Sequence, residues 1–235
     1  MTRYLSKDLH FGYRLVKTVP VQGNSERCLV LRQQYALRLL TLLEQGRRII
    51  NIDESWLGNE RFLRKMWAPG DAKFTATDKQ VSPRLSVIAA LDTEGRIWCC
   101  LTQANTDSNV MITFLQHLTR QLDREEPGWQ DSTTLLLDNA KWHTSAEIKQ
   151  RLAKLKLDIM YSGPYCYSAA PIEMMFSALK LGDLNPGRLP TGKKALSNMA
   201  VMAGNKLASI PRSTDCRYWH HIVASLYGYL YYERI

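Results

Sequence analysis

Hydrophobic periodicity changes in a fixed order along this chain, and that order limits the fold more than any other feature. Apolar runs of strand length occupy Arg48 to Asp53, Leu85 to Leu91 and Arg96 to Thr102, the last two joined by the hairpin signal Asp92-Thr93-Glu94-Gly95. The period then lengthens: Val110, Phe114, Leu118 and Leu122 recur every four residues, with Met111 and Leu115 beside them. This predicts a helix starting near Ser108, with one apolar face, that ends before Pro127. Thr133 to Leu137 returns to strand length, Thr144 or Ser145 can cap a basic helix to about Lys156, and Leu157 to Tyr161 reads as a further strand.

The ends of the chain fit the same pattern. Asn24 or Ser25 can cap a helix running to about Gln45, with Leu29, Leu31, Tyr35, Leu39 and Leu42 on its apolar face and Gly46 as its stop. Trp56 to Pro69 mixes aromatic and charged residues and predicts an irregular hairpin ending at Pro69-Gly70. Ser162 to Ala170 is a loop, and Pro171 suits a first helical turn, where its missing N–H costs nothing. Further helices fill Lys193 to Ser209 and Cys216 to Tyr232. Three strands linked by hairpins, then helix, strand, helix, strand, helix, is an α/β order: a ribonuclease-H-like mixed sheet flanked by helices, with an N-terminal helical linker and C-terminal helices.

Composition narrows the function classes. At 45% hydrophobic residues, no apolar run approaches the roughly 20 residues of a membrane span. Met1 to Pro20 is mixed and basic, without the apolar stretch of a secretory signal. Cys28, Cys99, Cys100, Cys166 and Cys216 contain no CxxC pair and are odd in number, which argues against a zinc site or a disulfide framework and for a reducing compartment. The net charge of +9 is unevenly spread: residues 1–50 carry nine Lys/Arg against three Asp/Glu, residues 51–138 nine against thirteen, and residues 139–235 thirteen against six. Basic flanks attract a polyanion through counterion release, and an acidic middle can hold cations.

Within that acidic middle and just beyond it, three acids stand at the edges of structured segments. Asp53 closes Ile49-Ile50-Asn51-Ile52, Asp138 closes Leu135-Leu136-Leu137, and Glu173 opens a helix after Pro171-Ile172, with 34 residues between the last two acids. Two strand ends and a helix start can converge three carboxylates, and hard divalent cations take oxygen ligands. Singly, each acid also fits an ordinary turn, cap or helix-dipole role. Glu54 points to the opposite face from Asp53 if the strand continues, and is not chosen as a ligand.

The blocks Asp53-Glu54-Ser55-Trp56, Trp67-Ala68-Pro69-Gly70, Leu137-Asp138-Asn139-Ala140-Lys141-Trp142-His143-Thr144 and Pro171-Ile172-Glu173-Met174-Met175-Phe176-Ser177 resemble, in order, the motif blocks of mariner-superfamily DDE transposases, including the 34-residue spacing of one branch. Transposases of ciliate transposable elements are the more specific likeness. The resemblance implies a Mg2+-dependent DDE transposase and endonuclease, with Asp53, Asp138 and Glu173 as catalytic metal ligands. It further implies two Mg2+ ions, Mn2+ serving as substitute, that activate a water or a DNA 3′-hydroxyl and stabilise the departing 3′-oxygen. Double-stranded DNA is the implied partner, as transposon ends and a TA-containing target. A homodimer or larger assembly and a nuclear location in a eukaryote follow from the same likeness.

Two departures accompany it. Before the third acid the chain reads Pro164-Tyr165-Cys166-Tyr167-Ser168-Ala169-Ala170-Pro171-Ile172-Glu173, where the family commonly has Pro-Tyr-Ser-Pro, an acid, then Leu-Asn-Pro-Ile-Glu. That places the loop's DNA contacts in doubt, though not the third acid. Family members also carry paired helix-turn-helix modules upstream, of which Thr2 to Pro20 resembles only a tail. Residues 1–46 are accordingly expected to be a linker and module tail, and 47–235 the catalytic domain; the alternative function is a domesticated, non-catalytic DNA-binding remnant.

Other residues carry weaker expectations. His143 is either a structural hydrogen-bonding residue or one that positions DNA or a metal-bound water, and Asn139 a supporting neighbour of the metal site. Lys141, Arg188, Lys193 and Lys194 are candidate DNA contacts. Lys149, Arg151, Lys154 and Lys156 extend a basic face that is ordinarily just solvated. Trp56 and Trp142 are core residues or platforms for an unpaired base.

Overall fold

A computed structural model describes residues 21–58, 84–103, 105–140, 143–144, 146–154, 157–185, 189–190 and 192–230. Strands β1 (Arg48–Gly58), β2 (Arg84–Asp92), β3 (Ile97–Thr102), β4 (Thr133–Leu137) and β5 (Asp158–Tyr161) form one sheet in the order β3-β2-β1-β4-β5. The first three pair antiparallel, whereas β4 is parallel to β1 and β5 to β4. The topology follows from the connections. A tight turn suffices between β2 and β3, where Gly95 takes a left-handed φ of 76° and Asp92 Oδ1 accepts from the N–H groups of Glu94 and Arg96 at 3.0 and 2.7 Å. Parallel neighbours need crossovers, supplied by helices α2 (Ser108–Glu125) and α3 (Ala146–Lys154).

Period-two alternation sends each strand's side chains into two cores. Ile50, Ile52, Ile88, Ala90, Leu135 and Leu137 face α2 and α3, meeting Met111, Phe114, Leu118, Ile148 and Leu152. On the other face Ile49, Leu136 and Met160 meet helices α1 (Glu26–Glu44) and α6 (Arg212–Leu230), and Val87, Ala89 and Leu91 meet α4 (Pro171–Leu179) and α5 (Ala195–Ser209). Each fully buried aliphatic side chain contributes about 1.5–3 kcal/mol, so Ile52→Ala at the sheet centre, fully buried, costs about 2–5 kcal/mol.

Helix α1 forms where its periodicity predicts, but the buried stripe is Arg32, Tyr35, Ala36, Leu39 and Leu40. Leu31, expected on the apolar face, is exposed. The stripe is rotated because Arg32 is buried and served: its guanidinium donates to the Gly23 carbonyl at 2.5 Å and lies 5.8 Å from the Tyr229 ring centre on α6. Sequence alone placed this helix in the linker unit 1–46; its Tyr35, Ala36 and Leu39 pack in one core with Ile49, Leu136, Trp219 and Leu226. The expected hairpin around Pro69-Gly70 lies outside the described residues, though β1 continues through Trp56 to Gly58, where Arg84 stacks 3.6 Å over the Trp56 ring centre.

Candidate active site

Register places the first two acids together. In the parallel pairing of β1 with β4, Ile52 lies opposite Leu137, so Asp53 and Asp138, one residue further on each chain, follow side by side. Neighbouring strands lie about 4.8 Å apart, and like charges at that spacing repel. Glu173 arrives from α4, with Pro171 in the first helical turn. Asp53, Asp138 and Glu173 line one cavity of about 210 Å³, walled by Asn139 and the loop Ser162 to Tyr167.

What fixes α4 against the strands is Asn51, a buried residue that sequence reasoning passed over. Its side-chain N–H donates to the Leu136 carbonyl at 3.2 Å, and its Oδ1 accepts from the Ile172 N–H at 3.3 Å. That second bond satisfies one of the orphan donors at the helix start. One amide therefore joins the three chain segments that carry the three acids, one or two residues before each of them.

The loop wall is built by close packing. Gly163 lies so near α1 that an added Cβ would meet Cys166 Sγ at 2.8 Å and the Arg32 Cα at 3.2 Å. Tyr165 adopts a left-handed φ of 60°, a costly conformation for a bulky residue held by its surroundings. Tyr35 Oη donates to the Ala169 carbonyl at 3.0 Å, and Ser168 and Tyr229 share a hydroxyl hydrogen bond of 2.7 Å. The departure from the family pattern thus has a packing counterpart: Cys166 and Ala169 are buried against α1 and α6, while Tyr167 stands 68% exposed.

Among the described residues the site carries excess negative charge. Burial, then the carboxylates of Glu173, Asp138 and Glu54, push the Asp53 carboxyl up to about 8, against a lowering hydrogen bond from the Glu54 N–H. Glu173 is also raised, by burial and by Asp138, with Lys180 opposing. Burial lowers Lys180, and the charges of Glu173 and Asp53 oppose that, so this half-buried ammonium faces both acids. Asp138 behaves oppositely. Burial would raise it, but hydrogen bonds from His143 and the Ala140 N–H hold it below the ordinary carboxylate range.

His143 sits beneath the site, fully buried. Its Nδ1 lies 2.5 Å from Asp138 Oδ1 and its Nε2 3.2 Å from Glu54 Oε2. Burial favours a neutral ring, yet the hydrogen bonds and charges of Asp138 and Glu54 win and push the imidazole up to about 10. A ring with no exposed surface between two carboxylates cannot reach DNA, which corrects the expected DNA contact for His143 in favour of the structural alternative. The alternation argument for Glu54 holds: it points away from Asp53, into the face where His143 lies. Asn139 Nδ2 donates to the Ser162 carbonyl at 2.5 Å and so ties the loop to the end of β4.

The basic candidates among the described residues are not drawn into the cavity. Lys193 and Lys194 are exposed ahead of α5, Lys149 and Lys154 are exposed on α3, and none of them lines the cavity. Lys141, Trp142, Lys156 and Arg188 lie outside the described residues, as does the Arg151 side chain.

The donor set fits hard divalent cations: carboxylate oxygens around one cavity, with charge that a proton or a cation must relieve. Among the described residues no group of three His, Cys, Asp or Glu side chains forms a ready-made cage for an ion. Mg2+ does not ask for one, because it is commonly bound through one or two carboxylates, waters and substrate phosphates.

Comparisons with known proteins agree with this geometry. A family model described as DDE superfamily endonuclease matches residues 48–193. No curated protein matches the chain by sequence. Among solved structures, the fold is similar to that of a pre-cleavage Mos1 transpososome (TM-score 0.75, 18% identity, covering 97% of this chain and 68% of that one). It is similar also to a mariner Mos1 paired end complex with Mg (TM-score 0.74, 18% identity, 97% and 68% covered) and to the catalytic domain of Mos1 mariner transposase (TM-score 0.67, 17% identity, 93% and 98% covered). At these identities the likeness is one of fold.

Proposed function

The chain belongs to the DDE superfamily of endonucleases, and from that premise we propose that it is the catalytic domain of a mariner-type DNA transposase, hydrolysing phosphodiester bonds at transposon ends and joining the freed ends to target DNA. The observation that carries this reading is the convergence of Asp53, Asp138 and Glu173 on one cavity, with too little positive charge among the described residues to balance them. In this reading the three acids hold two Mg2+ ions, with Mn2+ as substitute. When bound, such ions supply Lewis-acid activation of the attacking oxygen and neutralise charge on the departing one.

The chain's own groups have separable tasks. Asp53, raised to about 8, releases its proton when a cation takes that proton's place. Asp138 stays ionised throughout the neutral range because His143 and the Ala140 N–H hold its Oδ1. Glu173 sits in the first turn of α4, where the helix dipole favours its anionic form. The half-buried Lys180 offsets part of the charge on Glu173 and Asp53. A covalent route through the cavity thiol is disfavoured, since burial pushes the Cys166 thiol up to about 12 and leaves little nucleophilic thiolate at neutral pH.

Solved Mos1 complexes with paired transposon ends, with Mg and with Mn support transposon-end DNA as the partner and divalent cations as cofactor; a homodimer or larger assembly is the working unit in this reading. The test is strand transfer from a pre-cut, labelled transposon-end duplex into a TA-containing plasmid in Mg2+ or Mn2+, with an upstream end-recognition module supplied. Joined product is expected. Cutting without joining would reduce the function to that of a nuclease. Salt-dependent DNA binding with neither product would favour a domesticated, non-catalytic remnant.

A further inference from the structure

We propose that Glu54 and His143 act as a positioning pair for Asp138, a buried carboxylate–imidazole–carboxylate chain that fixes which oxygen of Asp138 faces the cavity; this rests on the reading of Asp138 as a metal ligand. The pair spans two parts of the fold. Glu54 leaves β1 on the face opposite Asp53, its side chain only 6% exposed beside the fully buried His143. His143 closes the turn after β4, where its N–H donates to the Ala140 carbonyl at 3.0 Å and the Tyr161 hydroxyl donates to its own carbonyl at 3.4 Å.

Two hydrogen bonds converge on Asp138 Oδ1: the Ala140 N–H at 2.9 Å and His143 Nδ1 at 2.5 Å. A carboxylate held through one oxygen cannot rotate freely about its last bond, so Oδ2 is presented in one direction. Asp138 remains 46% exposed on its free side, so the pinning leaves an approach open. Glu54 backs His143 from the other side: its Oε2 lies 3.2 Å from Nε2, an ion-pair contact rather than an aligned hydrogen bond. A glutamate side chain only 6% exposed has a high desolvation cost, and apolar packing would fill that position at lower cost. Orientation of the metal-facing acid is what the costly residue supplies, as outer hydrogen bonds orient ligands at metal sites generally.

Mn2+ titration of the full chain without DNA, by calorimetry or by electron paramagnetic resonance of the free ion, separates positioning from mere stability. His143→Gln is expected to weaken Mn2+ binding about 10- to 100-fold, and Glu54→Gln to weaken it several-fold in the same direction. The double variant should be no weaker than His143→Gln alone, because the residues act in series. DNA affinity in EDTA should stay at the wild-type value. Should His143→Gln fail to fold, Glu54→Gln and its partial rescue by Glu54→Asp carry the test. Wild-type Mn2+ affinity in folded Glu54→Gln or His143→Gln, alongside lost affinity in Asp138→Asn, overturns the positioning role and leaves the functional reading intact. Unchanged affinity in Asp138→Asn overturns both.

Discussion

The parallel ladder between β1 and β4 carries buried charge at both ends, under opposite rules. At its start, Arg48 and Arg96 meet Asp92 and Glu126: the Arg48 guanidinium reaches Asp92 Oδ2 at 2.8 Å and Glu126 Oε2 at 2.8 Å, Arg96 Nε reaches Asp92 Oδ2 at 2.9 Å, and Arg96 also bonds Glu126. Both guanidiniums lie 5.6 Å from the Trp98 ring centre, and Trp219 on α6 donates to the Asp92 carbonyl at 2.7 Å. Cations and anions match, and every shift recorded there favours the charged forms, with Glu126 lowered and Arg96 raised. At the far end, among the described residues, Asp53, Glu54, Asp138 and Glu173 face His143 and a half-buried Lys180, and Asp53 is pushed up to about 8. The balanced end holds the sheet to its helices; the unbalanced end, in the proposed reading, trades stability for affinity toward added cations.

Breaking the balanced end gives the largest effect on folding. Asp92→Asn removes the fully buried carboxylate shared by Arg48 and Arg96 and leaves them to the more exposed Glu126 and Glu94, and the expected loss is about 3–5 kcal/mol, measured by urea unfolding. Mn2+ affinity of the fraction that remains folded should not change. A loss of metal affinity there would mean that the two ends are coupled.

A buried amide comes next. Asn51→Leu leaves the Ile172 N–H and the Leu136 carbonyl without their side-chain partner and is expected to cost about 1–3 kcal/mol. Because α4 carries Glu173, Mn2+ affinity should fall as well. Stability loss with wild-type affinity would confine Asn51 to the fold.

The pH dependence sharpens the comparison, because the unbalanced end works against the folded state. Asp53 is raised from an ordinary 3.8 to about 8, so between those values the folded state holds a proton that the unfolded chain has released. Stability therefore falls as pH rises through that window. His143, raised from 6.5 to about 10, contributes stability that is complete below pH 6.5 and lost as pH climbs through 10. Asp138 and Glu126 are held low, and their contribution disappears only in acid. From pH 6 to 9 the metal-free protein should lose on the order of a few degrees of melting temperature per pH unit. Saturating Mn2+ should flatten the slope below pH 8, and a metal-free profile that rises with pH would contradict the assignment. The smallest effect belongs to the exposed pair Arg38 and Asp158, 2.9 Å apart: Arg38→Ala should change stability by less than about 1 kcal/mol.

The fold was largely legible in the sequence because periodicity and punctuation agreed: short apolar runs became strands, the four-residue repeat from Val110 to Leu122 became α2, and Pro171 opened α4. The stripe of α1 was misjudged because a buried Arg32 breaks the rule that charged residues face water, and its partners Gly23 and Tyr229 are visible only in three dimensions. At the site, Asp138 follows the end of β4 and Glu173 stands in the first turn of α4 as the sequence suggested, but Asp53 does not close its strand, because β1 runs on to Gly58. Alternation gave the direction of Glu54 correctly but not its companion, since His143 comes from a turn far along the chain. Asn51 carried no signal beyond being a polar residue in an apolar strand, which is itself the pattern to look for.

Nicking of supercoiled plasmid in Mg2+ or Mn2+, with the wild type beside Asp138→Asn, tests the unbalanced end most directly. An amide is a poor substitute for an anionic ligand held by His143, so the expected result is metal-dependent product from the wild type and a loss of at least about a thousandfold in the variant, with folding and DNA binding retained. Equal nicking by Asp138→Asn, or product that persists in EDTA, would contradict the assignment of this carboxylate cluster as a metal-dependent site for cutting DNA.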